Sequence, residues 1–145
     1  MSSGIKLTGE EMRYIALFEN VTGATARDCV IDEKVDRIMF VVNPGDIGLA
    51  IGKKGSRIKL LNKMVSKDVE VVEYAETPEV FIRNSLSPAK VRELRIIDRP
   101  DGRRVAVANI EPRDKGVAIG KNGRNADRTR LFAKRYFQIE DVVIT

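Results

Sequence analysis

The 145-residue sequence contains no histidine and no tryptophan, and its single cysteine is Cys29. Without an imidazole, no side chain has an ordinary pKa near neutrality, so histidine-based acid/base catalysis and most zinc sites are excluded. One cysteine cannot close an internal disulfide, which fits a reducing compartment. No apolar run approaches the roughly 20 residues that cross a bilayer, and the opening "MSSGIKLTGEEM" has no signal-peptide core. A cytoplasmic protein without membrane contact is expected. Acidic residues are missing from one long stretch. Residues 47–67 hold six Lys/Arg (Lys53, Lys54, Arg57, Lys59, Lys63, Lys67) and no Asp or Glu.

A second stretch is nearly as one-sided. Residues 115–135 carry seven cations (Lys115, Lys121, Arg124, Arg128, Arg130, Lys134, Arg135) against Asp127 alone. The two windows together hold 13 of the 26 basic residues and one of the 21 acids, although the whole chain is only +5. Such crowding of like charge is relieved by a polyanionic partner. With 43% hydrophobic residues, the chain also has the means to build a packed core.

Both windows contain the same string. Sliding the sequence on itself by 68 positions sets "NPGDIGLAIGKKG" (43–55) on "EPRDKGVAIGKNG" (111–123). Eight positions agree, among them Pro44/Pro112, Asp46/Asp114, Ile51/Ile119, Gly52/Gly120 and Gly55/Gly123, and Leu49/Val117 is a conservative pair. A repeat of this length indicates two copies of a small domain, residues 1–76 and 77–145.

Each copy reads in the same element order. In the first, Thr8 and Glu11 make a capping box for a helix over about 9–20 that stops at Gly23. "CVID" and "VDRIMFVV" flank Glu33-Lys34 as a hairpin, "IGLAI" is a short apolar segment, and "SRIKLLNKMV" has helical spacing of Ile58, Leu61 and Val65. "VEVVEY" closes the copy as a strand. In the second, Pro78 opens a helix, "ELRIID" and "RRVAVANI" surround the turn "RPDG", a helix follows over about 124–136, and "QIEDVVIT" is the last strand. The expected fold class is α+β, α-β-β-α-α-β twice, each a three-stranded sheet covered by helices on one face.

A bare G-x-x-G says little: "GDIG" at 45–48 also matches, yet it is acidic and no basic helix follows it. The informative loops have an apolar segment before, lysine within and a basic helix after. Glycines there let a nucleic-acid backbone approach the main chain, and helix-start N–H groups near Ser56 and Arg124 suit phosphates. Ile51 and Ile119, with strand residues such as Ile38 and Val105, are candidates to floor a groove for unstacked bases. The RNA-binding candidates are Ile51, Gly52, Lys53, Lys54, Gly55, Ser56 and Arg57 in the first copy. In the second they are Ile119, Gly120, Lys121, Asn122, Gly123, Arg124 and Asn125.

The loop between two helices resembles the KH domain, which clamps about four nucleotides of single-stranded nucleic acid, and the element order looks like its type II form. The runs "NPGDIGLAIGKKGSRI", "TPEVFIRNSLSPAKV" and "DKGVAIGKNGRNADR" resemble the tandem KH region of the NusA family of transcription factors, in its short archaeal form. The resemblance implies single-stranded RNA as ligand, a role in transcription termination, antitermination or elongation, and RNA polymerase or other elongation factors as further partners. The alternative is a KH-type RNA-binding protein of ribosome assembly or translation. An NTPase is excluded, because in "GLAIGKKGS" three residues separate Gly48 from Gly52 where a phosphate-binding Walker loop needs four. No catalytic residue, metal, cofactor or small-molecule substrate is expected.

Overall fold

The computed structural model describes residues 5–145, so the first four residues of the expected 1–76 domain lie outside it. The chain divides into two compact units, one running through Tyr74 and the other from Ala75 to Thr145. The first consists of α1 (Gly9–Thr22), β1 (Ala26–Asp32), β2 (Arg37–Val42), α2 (Ile47–Ile51), α3 (Ser56–Val65) and β3 (Asp68–Glu73). The second consists of α4 (Pro78–Leu86), β4 (Val91–Asp98), β5 (Arg104–Ile110), α5 (Lys115–Ile119), α6 (Arg124–Phe137) and β6 (Asp141–Ile144). The α+β order expected from the sequence is present in both.

Local chemistry sets the boundaries. The Thr8 hydroxyl accepts from Glu11 N–H at 3.1 Å while the Glu11 carboxylate accepts from Thr8 N–H at 2.8 Å, closing the capping box. α1 runs two residues beyond the expected end because Gly23 supplies the left-handed cap (φ 76°), its N–H donating to Glu19 O. β2 begins later than expected: Val35 and Asp36 belong to the turn, Asp36 has φ 55°, and the Asp32 carboxylate accepts from Lys34 N–H at 3.2 Å. The last strand is likewise shorter. Gln138 caps α6 in the left-handed region and Ile139 is drawn into the core, so the first bond to β5 is Glu140 N–H to Arg104 O at 2.7 Å and the strand itself starts at Asp141.

Each sheet has its middle strand antiparallel to the strand before it and parallel to the strand after the helices: β1-β2-β3 and β4-β5-β6. The helix-covered face carries Ile38, Phe40 and Val42 in the first unit and Ala106, Ala108 and Ile110 in the second. Phe18 of α1 stacks on Phe40 at 4.2 Å. The second sheet has alanine where the first has Ile38 and Phe40, and its core takes its bulk from Ile82, Leu86 and Ile139. The space left by the smaller strand residues is filled from α4 and from the segment after α6, as close packing requires. Ile38 and Val105, expected near a base-binding groove, are buried. Ile38 lies at the centre of the first core because β2 turns its even-numbered residues toward the helices.

The repeat is not uniform. Ala26, at the bulge that starts β1, corresponds to Val91, 65 positions on. Gly52 corresponds to Gly120, 68 on, and the α3 cap Ser66 to the α6 cap Gln138, 72 on. The β4–β5 hairpin is longer than its counterpart, and α6 has 14 residues where α3 has 10, about one extra turn.

Candidate nucleic-acid interface

The two G-x-x-G loops adopt one backbone conformation. Gly52 and Gly120 have φ/ψ of 77°/171° and 80°/169°; Lys54 and Asn122 have 54°/31° and 57°/27°; Gly55 and Gly123 have 73°/18° and 77°/11°. The bonds repeat as well. Gly52 N–H donates to Gly48 O at 3.0 Å and Gly55 N–H to Gly52 O at 3.1 Å; Gly120 and Gly123 donate to Gly116 O and Gly120 O at 2.9 and 3.1 Å. The N–H groups of Ser56 and Arg124, expected to face phosphates, donate instead to Lys53 O and Lys121 O. The loop closes a 3-10 turn on itself, which consumes those two donors.

Each loop is braced from the helix that follows it. Arg57 Nη1 donates to Leu49 O at 2.7 Å and to Thr22 O at 3.2 Å, tying the ends of α1 and α2 to α3. At the corresponding place Asn125 Nδ2 donates to Val117 O at 2.9 Å. Both residues position the loop. The matched aspartates do the same on the other side: Asp46 Oδ2 accepts from Thr25 N–H at 2.9 Å and Asp114 Oδ2 from Lys90 N–H at 2.8 Å. In the second unit Arg92 also forms a two-pronged pair with Glu111 at 2.6 and 3.1 Å, and that hydrogen bond holds the Glu111 carboxyl below its ordinary range. Replacing Arg57 by alanine is expected to destabilise the first unit by about 1–2 kcal/mol, because two carbonyls lose a charged donor. Thermal unfolding monitored by circular dichroism reads this, and an unchanged midpoint would remove Arg57 from the brace.

Beside the loops lie apolar side chains that a core would have hidden. Ile51 and Ile119 are 40% and 41% exposed, and Leu49 and Val117 are 46% and 45% exposed. Each short helix therefore presents an aliphatic pair to solvent next to its loop. Leu49 and Val117 were not among the sequence candidates; their conservative pairing in the repeat was the available signal.

The cations divide unequally. In the first unit Lys53, Lys54, Lys59 and Lys63 are exposed, and none has a hydrogen-bond or ion-pair partner among the described residues. Lys67 pairs with Asp36 at 2.8 Å, which raises its pKa. In the second unit most of the basic window serves the fold. Arg128 is buried and donates to Ser85 O at 2.6 Å; Arg130 pairs with Asp127 at 3.2 Å and Asp141 at 3.3 Å; Lys134 lies 3.6 Å from Glu140. Lys115 and Lys121 remain exposed without a partner among the described residues.

Comparison with known proteins covers the whole of this arrangement. A model of the KH domain matches residues 12–84, and a model of the NusA-like second KH domain matches residues 78–140. The chain is 41% identical over 141 residues to the "Probable transcription termination protein NusA" of Halobacterium salinarum, covering 97% of this chain and 99% of that protein. It is 31% identical over 140 residues to the protein of the same name from Methanocaldococcus jannaschii, covering 97% of this chain and 75% of that one. The crystal structure of APE1850 matches with a TM-score of 0.83 at 40% identity, over 96% of this chain and 100% of that one.

Proposed function

We propose that this chain, which belongs to the archaeal NusA family of transcription termination proteins with paired KH domains, binds nascent single-stranded RNA at both G-x-x-G loops. The observation that carries the reading is the coincidence of the two loops in φ and ψ at both glycines and at the residue before the second, each loop with a lysine in it and an exposed aliphatic pair beside it. A phosphate backbone passes over Lys53-Lys54 and Lys121-Asn122, while Leu49/Ile51 and Val117/Ile119 receive the faces of unstacked bases. Gly52, Gly55, Gly120 and Gly123 shape the turn. Ser56 and Arg124 stand at the mouth, and Arg57 and Asn125 hold the loop to the preceding helix. Residues 1–76 form one RNA-binding domain and 77–145 the other. Binding, with no chemical step, is the activity. In the cytoplasm the protein acts in termination, antitermination or elongation, with RNA polymerase or another elongation factor as the protein partner.

A KH groove needs free base edges, which a duplex does not offer. Single-stranded RNA is expected to compete at least tenfold better than a fully paired duplex of equal length. Equal competition would overturn the groove reading. Crosslinking in cells followed by sequencing of bound RNA separates the biological settings: nascent transcripts support the transcription role, and a ribosomal RNA footprint supports ribosome assembly.

A further inference from the structure

Both copies of the repeat build the helix after the loop in one register. α3 starts at Ser56 and α6 at Arg124, and the bracing residues Arg57 and Asn125 stand at matching places. At that offset the inward positions Ile58, Leu61 and Val65 fall on Ala126, Thr129 and Ala133. One flank of each helix remains to be compared. On α6 it carries Arg128 and Phe132; on α3 it carries Leu60 and Met64.

The two flanks are covered differently. Helix α4 lies on the α6 flank: Arg128 Nη2 donates to Ser85 O at 2.6 Å, and the Phe81 ring meets Phe132 edge-on at 6.1 Å. Both Arg128 and Phe132 are buried. α1 is the counterpart of α4, and Arg57 ties it to α3 through Thr22 O at 3.2 Å. Arg57, Leu60 and Met64 follow one another by three and four residues, so they form one stripe along the side of α3 that α1 adjoins. There the cover is incomplete. Leu60 and Met64 are 48% and 50% exposed. Packing on the sheet does not require them, since Ile58, Leu61 and Val65 supply that contact.

We infer that this stripe is a protein-docking surface whose occupant is an amphipathic helix with acidic residues beside a large apolar anchor. Three observations select that chemistry. The matching flank in the second unit is covered by a helix with an aromatic anchor, so the fold already packs a helix at this place. Two apolar side chains one turn apart suit a helix laid alongside, and methionine adapts its shape to a partner. Lys59 and Lys63 are exposed without a partner among the described residues, and α3 contains no Asp or Glu, so an acidic helix meets complementary charge. RNA is a poorer occupant. The stripe has no glycine to let a sugar-phosphate backbone close in and no aromatic ring on which bases stack. The inference gives a surface to the protein partner of the reading above, on which it rests for there being such a partner; RNA at the loops is tested separately.

The full-length chain is titrated with a synthetic peptide of about four helical turns, leucine and phenylalanine along one face and glutamate elsewhere, and with a scrambled peptide of the same composition. The patterned peptide is expected to bind about tenfold more tightly or better, with NMR shifts centred on Leu60 and Met64. Leu60→Ser/Met64→Ser is expected to erase that preference, and Lys59→Glu/Lys63→Glu to weaken the patterned peptide about tenfold by charge reversal. The double serine variant should keep the parent's melting temperature and its affinity for single-stranded RNA. Equal binding of the two peptides, shifts centred elsewhere, or a serine variant that still prefers the patterned peptide would overturn the inference. So would a loss of RNA affinity in that variant, which gives the stripe to RNA, or a lowered melting temperature, which makes it part of the α1–α3 packing. In cells, a benzophenone side chain placed at position 64 should crosslink to an acidic, amphipathic protein segment identified by mass spectrometry; RNA adducts alone, or no adduct, count against the inference as well. If the parent chain fails to bind single-stranded RNA, the loop reading falls while the peptide titration still decides the stripe.

Discussion

Changing Lys53 and Lys54 together to aspartate is expected to reduce affinity for single-stranded RNA on the order of a hundredfold, with a salt slope shallower by about 1.4. The corresponding Lys121→Asp change should cost closer to tenfold and about 0.7 in slope. The difference follows from where the cations are. Lys53 and Lys54 belong to a row of four exposed, unpaired lysines along the loop and α3. Lys121 has Lys115 as its free neighbour, while Arg128, Arg130 and Lys134 are committed to Ser85 O, Asp127, Asp141 and Glu140. Neither change should unfold the protein, since exposed positions without partners usually move stability by no more than about 0.5 kcal/mol. At position 54 aspartate even suits the left-handed backbone better than lysine does. Fluorescence anisotropy across a salt series, with thermal melts as a control, makes the comparison, and Lys53→Asp against Lys121→Asp equalises the charge removed. Equal losses in that single-residue comparison would show that free lysines do not grade the two sites. If the proposed binding puts one strand on both loops, each change should harm a long RNA more than a short one through lost avidity.

Charge counting along the sequence could not have shown this asymmetry. The two basic windows look equivalent, and only the packing of α6 against α4 reveals that Arg128 turns inward, with Thr129 bonded to Ser85 at 2.6 Å beside it. The repeat itself was legible because residues 43–55 and 111–123 carry the invariant loop geometry without insertions. Elsewhere the correspondence drifts from 65 to 72 positions through a longer hairpin and an extra helical turn, which an ungapped comparison cannot follow. Element order survived because caps and turns act locally: Thr8 with Glu11, Gly23, and the "RPDG" turn each fix a boundary with a few residues. Which face of a strand is covered is a different matter. "RIMFVV" is apolar at five of six positions, so alternation gives no direction, and Ile38 could be placed only once β1 and the helices were seen beside it.

The two glycines of each loop should fail in opposite ways. A Cβ at position 52 would sit 2.8 Å from Arg57 Cγ and 3.0 Å from the Arg57 backbone nitrogen. At position 120 it would meet Asn125 Cγ at 2.8 Å and the Asn125 nitrogen at 2.9 Å. Both residues also have ψ near 170° at positive φ, a combination essentially confined to glycine that costs about 1–3 kcal/mol for other residues. The crowding backbone belongs to the first turn of the next helix and cannot easily withdraw. Gly52→Ala is therefore expected to lose about 3 kcal/mol, strain and overpacking together, and to lower the melting temperature by roughly 10 °C. A Cβ on Gly55 meets nothing within 4 Å. Its left-handed backbone is one that asparagine tolerates, so Gly55→Asn should cost no more than about 1 kcal/mol. On the proposed binding mode the new side chain would stand in the path of the RNA backbone, and affinity should fall at least tenfold while the melt barely moves. Melting curves and RNA titrations on the two variants give four numbers, and the pattern decides between roles. If Gly55→Asn bound RNA like the parent chain, the second glycine would serve only the turn, and close approach of a nucleic-acid backbone at this loop would be excluded.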